Sequence, residues 1–357
     1  MKNLINQGII TLQNDGFFVF LLRIQNYVIV KLKRLLYKKD KSNIEKWKSI
    51  KNTYRGKRIF IIGNGPSLNE TPLYLLKDEF TMCFNRFGLM LERLNWVPNF
   101  YAVTDNLVIK DTYEEINSTI LPIVDMAFFP DIHPSNVEFT KYINKNDNVY
   151  WLNTYKSNFS DNLPACGINK TVVNAGMQIA VYLGFTEIYL LGVDMVFDSH
   201  KVIKINQRDW ISTENDMNHF DPRYFDKGRK YHNPTTTEML KRFDQAFVFF
   251  ESRGIKIYNA GIGGKLETFR RVDISSLFNF SDDKIKSILD ECFVLQQRGI
   301  TFQEIQEKAK PFTGNLQEQT EIIQMPLEQG CKLLFQLIER YIPIGPYKGL
   351  YYFLKRE

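Results

Sequence analysis

A glycine-containing segment, GNGPSL at residues 63–68, directly follows the apolar run Arg58–Ile62. Glycine lets the backbone approach a ligand closely, and free N–H groups in such a turn can point at a phosphate. Since ligands of open α/β sheets bind beyond the carboxyl ends of the strands, the segment predicts a nucleotide-binding loop. An ordinary Gly-Pro turn is the alternative. It is neither a dinucleotide fingerprint nor a P-loop, because Leu68 replaces the third glycine and no GK[ST] exists.

Polar side chains recur where other predicted strands end or where helices begin. Amides and carboxylates on one edge of a sheet provide the donors and acceptors that a base and a ribose diol need. Each residue alone is more often a cap or turn residue, but their repetition favours a nucleotide site. The candidate binding residues are Gly63, Asn64, Gly65, Pro66, Ser67, Asn85, Asp105, Asn106, Asn174, Ala175, Gly176 and Asp194. A second glycine-rich segment, 259–266, either closes over the ligand or forms a plain loop.

A polar segment at residues 197–233 interrupts the alternation of elements and predicts a lid. Histidine titrates near neutral pH, so His232 or His219 could act as a general base, with surface or cap hydrogen bonding as the alternative role. Tyr224 and Tyr231 could stabilise charge on a departing phosphate. The lid histidines are 19 and 13 residues apart, with no HxxxH or HExxH pair, and no DxD motif ends a strand. The sequence therefore predicts no metal site.

Short apolar runs, separated by amphipathic stretches, must position these residues. Runs without polar alternation suit strands that are buried on both faces of a parallel sheet. The runs are Arg58–Ile62, Phe80–Phe84, Phe100–Thr104, Leu121–Val124, Val149–Leu152, Glu187–Gly192 and Ile255–Asn259. Helical periodicity covers Thr171–Leu183 and Thr235–Arg253. Strands that alternate with helices predict a doubly wound, Rossmann-like, mostly parallel α/β sheet.

The formal net charge of +6 is concentrated near the N-terminus. Residues 31–58 contain 12 Lys and Arg and two acids, a net +10 that leaves −4 for the rest of the chain. The apolar segment before them is too short to span a membrane, and its positive charge follows it, unlike that of a signal peptide. One interpretation is an amphipathic helix that binds an anionic membrane through residues 16–58. The other is a helix packed on the body with a solvated basic face.

A chain of 357 residues suits one large domain or about two ordinary ones. We predict a membrane-associating helical segment at 1–55, a catalytic domain at 56–280 with the lid at 197–233, and a helical appendage at 281–357. Four dispersed cysteines without a CxxC pair indicate a reducing compartment, the cytoplasm. The basic segment lacks the interleaved aromatic residues of a strand-binding groove, so no nucleic-acid partner is predicted. The sequence leaves open whether the protein forms a homo-oligomer.

Three motifs together resemble the bacterial CMP-sialic-acid-dependent sialyltransferases: the GNGPSL loop, EIYLLGVD after the helix 171–183, and RKYHNP at the end of the lid. NHFDPRYFDKG and IYNAGIGGKLETFRRVD resemble a broader family. It includes the archaeal 6-hydroxymethylpterin diphosphokinase and the motility-associated factors implicated in nonulosonic-acid transfer to flagellin. The resemblance covers about residues 56–280. It implies a GT-A-like Rossmann domain with a lid over a CMP-sugar donor, and no metal or cofactor requirement.

The resemblance also implies roles for individual residues. Those that would hold the nucleotide are Asn64, Gly65, Ser67 and Asn85, and those near the donor sugar are Asp105, Asn106, Ala175 and Gly176. His232 would deprotonate the hydroxyl of a glycan or glycolipid acceptor, so that the sugar is transferred with inversion at the inner face of the plasma membrane. The lid tyrosines of those enzymes are missing after GVD, where Met195 stands, so Tyr224 or Tyr231 would substitute.

Two other functions stay open. A pyrophosphokinase acting on a pterin-like alcohol would need ATP and Mg²⁺, with Asp194, Asp216 and Asp221 as candidate carboxylate ligands. A non-catalytic nucleotide-binding protein of a surface-polysaccharide assembly would keep the fold and bind CMP without turnover.

Overall fold

The computed structural model describes residues 17, 21–22, 24–25, 27–91, 94, 96–154, 158–197, 202–205, 209–225, 227–278, 322–326, 341–347 and 350–355. The helices are α1 (residues 27–38), α2 (Lys41–Ser49), α3 (Gly88–Leu91), α4 (Asn106–Glu115), α5 (Val172–Leu183) and α6 (Thr236–Glu251). The strands are β1 (Arg58–Ile62), β2 (Thr81–Phe84), β3 (Phe100–Ala102), β4 (Met126–Pro130), β5 (Val149–Leu152), β6 (Glu187–Leu191), β7 (Val202–Lys204), β8 (Asp209–Ser212), β9 (Lys230–His232), β10 (Lys256–Asn259), β11 (Arg270–Arg271), β12 (Ile322–Pro326), β13 (Tyr341–Tyr347) and β14 (Leu350–Lys355).

Eight of the described strands form one parallel sheet, in the order β11-β10-β6-β1-β2-β3-β4-β5. The chain builds outwards from β1 to β5 and then returns to the other side of β1 with β6. Alternate residues of β1 pack into different core clusters, Ile59 on one face and Phe60 on the other. The strands are apolar without alternation because both faces are covered. This confirms the predicted doubly wound, Rossmann-like α/β fold.

The apolar runs locate most of these strands correctly, but the strand predicted at Leu121–Val124 is wrong. There α4 continues into one π-helical turn over Ile116–Ile120, and the Leu121 N–H donates to the Ile116 oxygen at 2.9 Å. The strand begins only at Met126. Leu121 and Val124 are both buried against α4, and a buried turn is as apolar as a buried strand.

Helix α5 packs closely across the carboxyl end of β2. Thr171 caps its N-terminus by accepting the Val173 N–H at 3.3 Å, and Gly184, with φ at +103°, ends it. A side chain at position 176 would place its Cβ 2.5 Å from the Phe84 ring, so Gly176 allows the close approach. The first turn of α5 therefore reaches past the end of β2, to the edge where a ligand is expected.

Helix α2 covers the outer edge of β5 and belongs to the folded core. The Asn43 amide forms two hydrogen bonds with the backbone of Trp151, donating to its oxygen at 3.0 Å and accepting its N–H at 3.2 Å. Trp47 is fully buried and donates to the same oxygen at 2.9 Å. These bonds occupy the groups that an edge strand otherwise leaves open. The packed body therefore includes Lys41–Ser49, and does not begin at residue 56 as predicted.

One face of helix α1 packs against the body of the protein. Lys33 forms an ion pair with Glu138 at 2.7 Å, and Arg34 donates to the His133 oxygen at 3.0 Å. Large apolar side chains of the same helix are exposed, with Leu36 at 71%. The predicted N-terminal helix is thus present within the described residues. None of the described helices is both long and apolar enough to cross a membrane.

The predicted lid contains a small antiparallel sheet, in the order β7-β8-β9, where an irregular segment was expected. Strands β8 and β9 pair so that Asp209 lies opposite His232. Between these strands, Phe220 and Tyr224 are buried in the core cluster that also holds Leu68. The Phe220 N–H donates to the oxygen of Asn64 at 3.1 Å. The lid is therefore anchored on the GNGPSL loop.

The C-terminal region differs from the prediction. Helices were expected over 281–357, but the described residues of this range form three antiparallel strands, in the order β12-β14-β13. Aromatic or β-branched residues make up four of the seven residues of β13 and three of the six residues of β14, and such residues favour strands. The helical appendage is therefore wrong for these strands, and the rest of that prediction lies outside the described residues.

Candidate active site

The loops after β1 and β6 meet at the topological switch point of the sheet, the place where α/β folds form a ligand crevice. The Gly63 N–H donates to the Leu191 oxygen at 2.7 Å, and the Gly65 N–H donates to the Gly192 oxygen at 2.8 Å. A Cβ at Gly65 would lie 2.9 Å from that Gly192 oxygen and still closer to the Asp194 carboxylate. Only glycine fits this close approach, so the turn is more than an ordinary Gly-Pro turn.

Asp194 clamps the GNGPSL loop to the end of β6. The backbone N–H of Ser67 donates to Asp194 Oδ2 at 2.9 Å, and the Ser67 hydroxyl donates to Oδ1. Burial raises the pKa of Asp194, whereas the Ser67 donors and the charges of His219 and Arg271 lower it. Both carboxylate oxygens are engaged, so Asp194, predicted as a nucleotide contact, positions the loop that forms the crevice.

The second glycine-rich segment closes against the same clamp. The Lys265 N–H donates to the Asp194 oxygen at 2.6 Å, and a Cβ at Gly264 would lie 2.7 Å from that oxygen. Arg271 donates to the oxygens of Gly263 at 2.6 Å and Gly264 at 3.1 Å, which fixes the turn. Segment 259–266 is therefore fixed to the end of β6, and its closure over a ligand stays a prediction.

Asn64 and Asn85 lie at the carboxyl end of β2, and Asn174 lies in the first turn of α5. Asn64 donates to the Phe84 oxygen at 3.4 Å, Asn85 follows Phe84, and Asn174 lies two residues before Gly176, which packs on the Phe84 ring. The buried side-chain oxygens of Asn64, Asn85 and Asn174 each lack a hydrogen-bond partner. A buried acceptor without a partner costs about 1–3 kcal/mol. The cluster is therefore suited to a ligand that brings N–H or O–H donors.

Two residues predicted near the donor face the core instead. Ala175 and Gly176 are buried, and the missing side chain of Gly176 makes room for Phe84 and Met82. The glycine at this point of the helix signals tight helix–strand packing, which has the same sequence signature as close approach to a ligand. The structure therefore gives these two residues a packing role, and their contact with a donor stays a prediction. Pro66 starts a short 3₁₀ turn and shapes the loop.

His232 lies at the carboxyl end of β3. Its Nδ1 is 2.9 Å from the Asp209 carboxylate, and its Nε2 is 3.3 Å from Asn106 Oδ1 and 3.8 Å from Asp105 Oδ1. Asp105 also caps α4, accepting the Leu107 N–H at 2.7 Å. A histidine with a carboxylate on one ring nitrogen has a fixed tautomer and orientation, which suits a general base. The sequence analysis did not predict Asp209. Its role is visible only when β8 pairs with β9 and puts this acid opposite His232.

The other predicted catalytic residues form a packed anchor beside the crevice. The His219 ring stacks on Tyr224 with centroids 3.9 Å apart, and its Nδ1 lies 2.7 Å from Asp216 Oδ2. Tyr224 is buried, which raises its pKa, and the Asn85 amide N–H donates to its hydroxyl oxygen. Burial also raises the pKa of Tyr231 to about 12. Both tyrosines are therefore buried, and their rings pack against Phe225.

The carboxylates considered for a magnesium site do not converge. Asp194 binds Ser67, Asp216 binds His219, and Asp221 accepts from the Arg223 guanidinium at 2.9 and 3.0 Å. Within the described part of the chain, no group of three or more His, Cys, Asp or Glu side chains is arranged to hold a metal ion.

Residues 34–200 match the model of a family described as 6-hydroxymethylpterin diphosphokinase MptE-like. This range includes β1 to β6, the GNGPSL loop and GVD, and it ends before the lid sheet. The resemblance to the diphosphokinase-like family is therefore confirmed over these residues.

Among solved structures, the chain matches the MAf glycosyltransferase from Magnetospirillum magneticum AMB-1, with 18% sequence identity and a TM-score of 0.39. The match covers 70% of this chain and 41% of that protein, so the chain spans less than half of its length. Curated proteins gave no match.

We expect Asp194→Asn to lower the free energy of unfolding by about 1–3 kcal/mol. Ser67 now donates two hydrogen bonds, one to each carboxylate oxygen, and the asparagine amide offers only one acceptor oxygen. Urea unfolding measures the change. The exposed Asp78→Asn is the matched control and should shift stability by less than ~0.5 kcal/mol. Equal stability of the two variants would mean that the clamp does not hold the loop.

Proposed function

We propose that the protein is a glycosyltransferase that transfers sialic acid or a related nonulosonate from a CMP-activated donor to a glycan or glycolipid acceptor. The observation that carries the proposal is a juxtaposition on one edge of the sheet. A crevice with unpartnered amide oxygens lies at β1, β2 and β6, and a His–Asp pair lies beside it at β3. The motifs that resemble the sialyltransferases fall on this edge.

The crevice suits a cytidine nucleotide. The unpartnered oxygens of Asn64, Asn85 and Asn174 would accept hydrogen bonds from the amino group of the base and from ribose hydroxyls. The N-terminus of α5 points to the same edge and has no acidic residue in its first turn, so its dipole favours a phosphate there. In this account the nucleotide is held by amides and backbone dipoles, and no metal or cofactor is required.

His232 would act as the general base. Its Nε2 would take the proton of the acceptor hydroxyl, in place of the 3.3 Å contact with Asn106, while the hydroxyl oxygen attacks the anomeric carbon. The bond from that carbon to the phosphate oxygen breaks, its electron pair leaves with CMP, and the configuration inverts. Asp209 would stabilise the imidazolium through Nδ1. Since Tyr224 and Tyr231 are buried, we assign stabilisation of the leaving phosphate to the N-terminus of α5.

The name of the matching family favours a second candidate, a diphosphokinase of a pterin-like alcohol. That reaction transfers a diphosphate from ATP and uses Mg²⁺ to neutralise the phosphates. Its candidate carboxylates include Asp194 and Asp216, but each already accepts from a neighbour. Stabilisation by ATP with Mg²⁺ but not by CMP would favour this candidate.

Replacement of the base tests the glycosyltransferase directly. His232→Ala should lower sugar transfer by about 100-fold or more, the range of a general base, while CMP still raises the melting temperature. Asp209→Asn should lower kcat by roughly tenfold, because the imidazole loses its orienting carboxylate. The exposed Asp147→Asn is the control and should behave as wild type. Lost CMP binding in His232→Ala would assign this residue to the nucleotide, and unchanged turnover would remove it from the chemistry.

We also propose that α1 binds an anionic membrane, which would put the protein at the inner face of the plasma membrane. Lys33 and Arg34 fix one side of α1 to the body. The apolar side of the helix is therefore not buried against the body. The exposed apolar residues of this segment are Phe17, Leu21, Leu22, Ile24, Tyr27, Val28, Ile29, Leu32, Leu35 and Leu36. Exposed lysines 31, 38 and 39 lie among them, and apolar residues flanked by lysine suit the surface of anionic lipid.

Serine at Leu32, Leu35 and Leu36 should reduce co-sedimentation with vesicles that contain anionic lipid by about tenfold, because the apolar contact is lost. Binding of CMP should stay unchanged, since the crevice is at the centre of the sheet, two or more strands away from β4 and β5. Val248→Ser, at a residue of α6 that is 66% exposed, is the matched control. Undiminished vesicle binding of the triple variant would contradict the proposed membrane face.

A further inference from the structure

A small cavity lies at the same edge of the sheet, away from the crevice. It has a volume of about 190 Å³ and is enclosed by α1, α2 and the ends of β4 and β5. The side chains that line it and bear on its chemistry are Tyr37, Asp131, Thr140, Lys145, Trp151 and Asn153. The volume equals that of roughly six waters at ~30 Å³ each, below the ~300–1,000 Å³ of pockets for drug-sized ligands. It has room for one sugar ring and not for a nucleotide.

A carboxylate forms the floor of this cavity. Asp131 is fully buried, accepts the Ile132 N–H at 2.5 Å, and accepts the Asn153 amide at 2.7 Å. Burial raises the pKa of Asp131 to about 6, against the opposing effect of these donors and of the Arg34 charge. Buried carboxylates are costly unless they are paired, and both donors that bond Asp131 directly are neutral, so this carboxylate is suited to bind a ligand or ordered water. A second carboxylate, Asp40, also lines the cavity.

The walls of the cavity provide hydroxyl, ammonium and aromatic groups. The Tyr37 hydroxyl and Thr140 Oγ1 are 3.2 Å apart, and either oxygen has capacity for a further hydrogen bond. Lys145 is exposed at the rim, and Trp151 provides an indole ring. A carboxylate, hydroxyls, an amide and an aromatic ring within one small cavity are complementary to a ring compound with several hydroxyl groups.

The position of the cavity along the sheet relates it to the proposed chemistry. The crevice lies at β6, β1 and β2, His232 lies at the end of β3, and the cavity lies at β4 and β5. Neighbouring strands are ~4.8 Å apart, so the cavity begins about one strand spacing beyond the base. Beyond the cavity comes α1, whose Tyr37 lines it. A group that enters from the side of α1 would meet the cavity before it meets His232.

We propose that this cavity binds a sugar ring of the acceptor. The identification of this sugar as the acceptor rests on the proposed glycosyltransferase function. The binding of a hydroxyl-rich ring in the cavity does not depend on that function. The ring would donate hydroxyl protons to Asp131 and accept hydrogen bonds from Thr140, Asn153 and Lys145, with its apolar face towards Trp151. A hydroxyl of that ring, or of the next one, would then extend towards His232, with the remainder of a glycolipid lying along α1.

The test uses free galactose, N-acetylglucosamine and N-acetylneuraminic acid as probes, with saturation-transfer NMR on the full-length protein. At least one sugar should bind to wild type. The double variant Tyr37→Phe, Thr140→Val removes two lining hydroxyls with little change of shape and should weaken that binding by about tenfold. The control is Thr119→Val, Thr237→Val, which removes two hydroxyls from exposed residues and should bind as wild type. Melting temperatures verify that both variants are folded.

The same samples separate the two proposals. If CMP raises the melting temperature and the variant loses the sugar but keeps CMP, the cavity is the acceptor subsite. If the sugar binds through these hydroxyls but no CMP effect exists, the cavity stands as a sugar site and the proposed function fails. If no sugar binds to wild type, or if the double variant and its control bind equally, the cavity proposal is overturned.

Discussion

The hydrogen bonds from Ser67 to the Asp194 carboxylate join two loops that leave neighbouring strands of the sheet. The two loops approach so closely that Gly63 and Gly65 have no space for a side chain. Other parts of the site then attach to this junction: segment 259–266 bonds to the backbone of Asp194, and the lid bonds to the backbone of Asn64. The crevice, its amide cluster and the orientation of the lid all depend on this contact.

From this junction the functional groups follow the order of the strands. The crevice lies at the switch point, the His232–Asp209 pair lies at β3, the second cavity lies at β4 and β5, and α1 covers the outer end. A parallel sheet puts every carboxyl strand end on one side, so groups separated by up to about 170 residues come to share one edge. This order is consistent with a donor held at the centre of the sheet and a membrane-borne acceptor entering from the side of β5.

The local patterns of the sequence predict much of this arrangement. Uninterrupted apolar runs locate the buried strands, and a glycine turn after such a run locates the crevice. What the patterns cannot predict depends on long-range packing. Asp209 is recognised only once the register of β8 and β9 puts it opposite His232. A glycine at position 176 is expected both for close approach to a phosphate and for packing on the Phe84 ring, so the sequence cannot distinguish the two. Tyr224 is in a polar segment, and only the structure shows that it is buried.

The central claim is that the crevice holds a cytidine nucleotide, and the change in melting temperature with CMP, UDP or ATP plus Mg²⁺ tests it most directly. A ligand at ~100 times its Kd stabilises a protein by about 2.7 kcal/mol, which raises the melting temperature by several degrees. The account predicts this rise with CMP and a much smaller one with UDP or ATP plus Mg²⁺. A rise with ATP plus Mg²⁺ and none with CMP would contradict it.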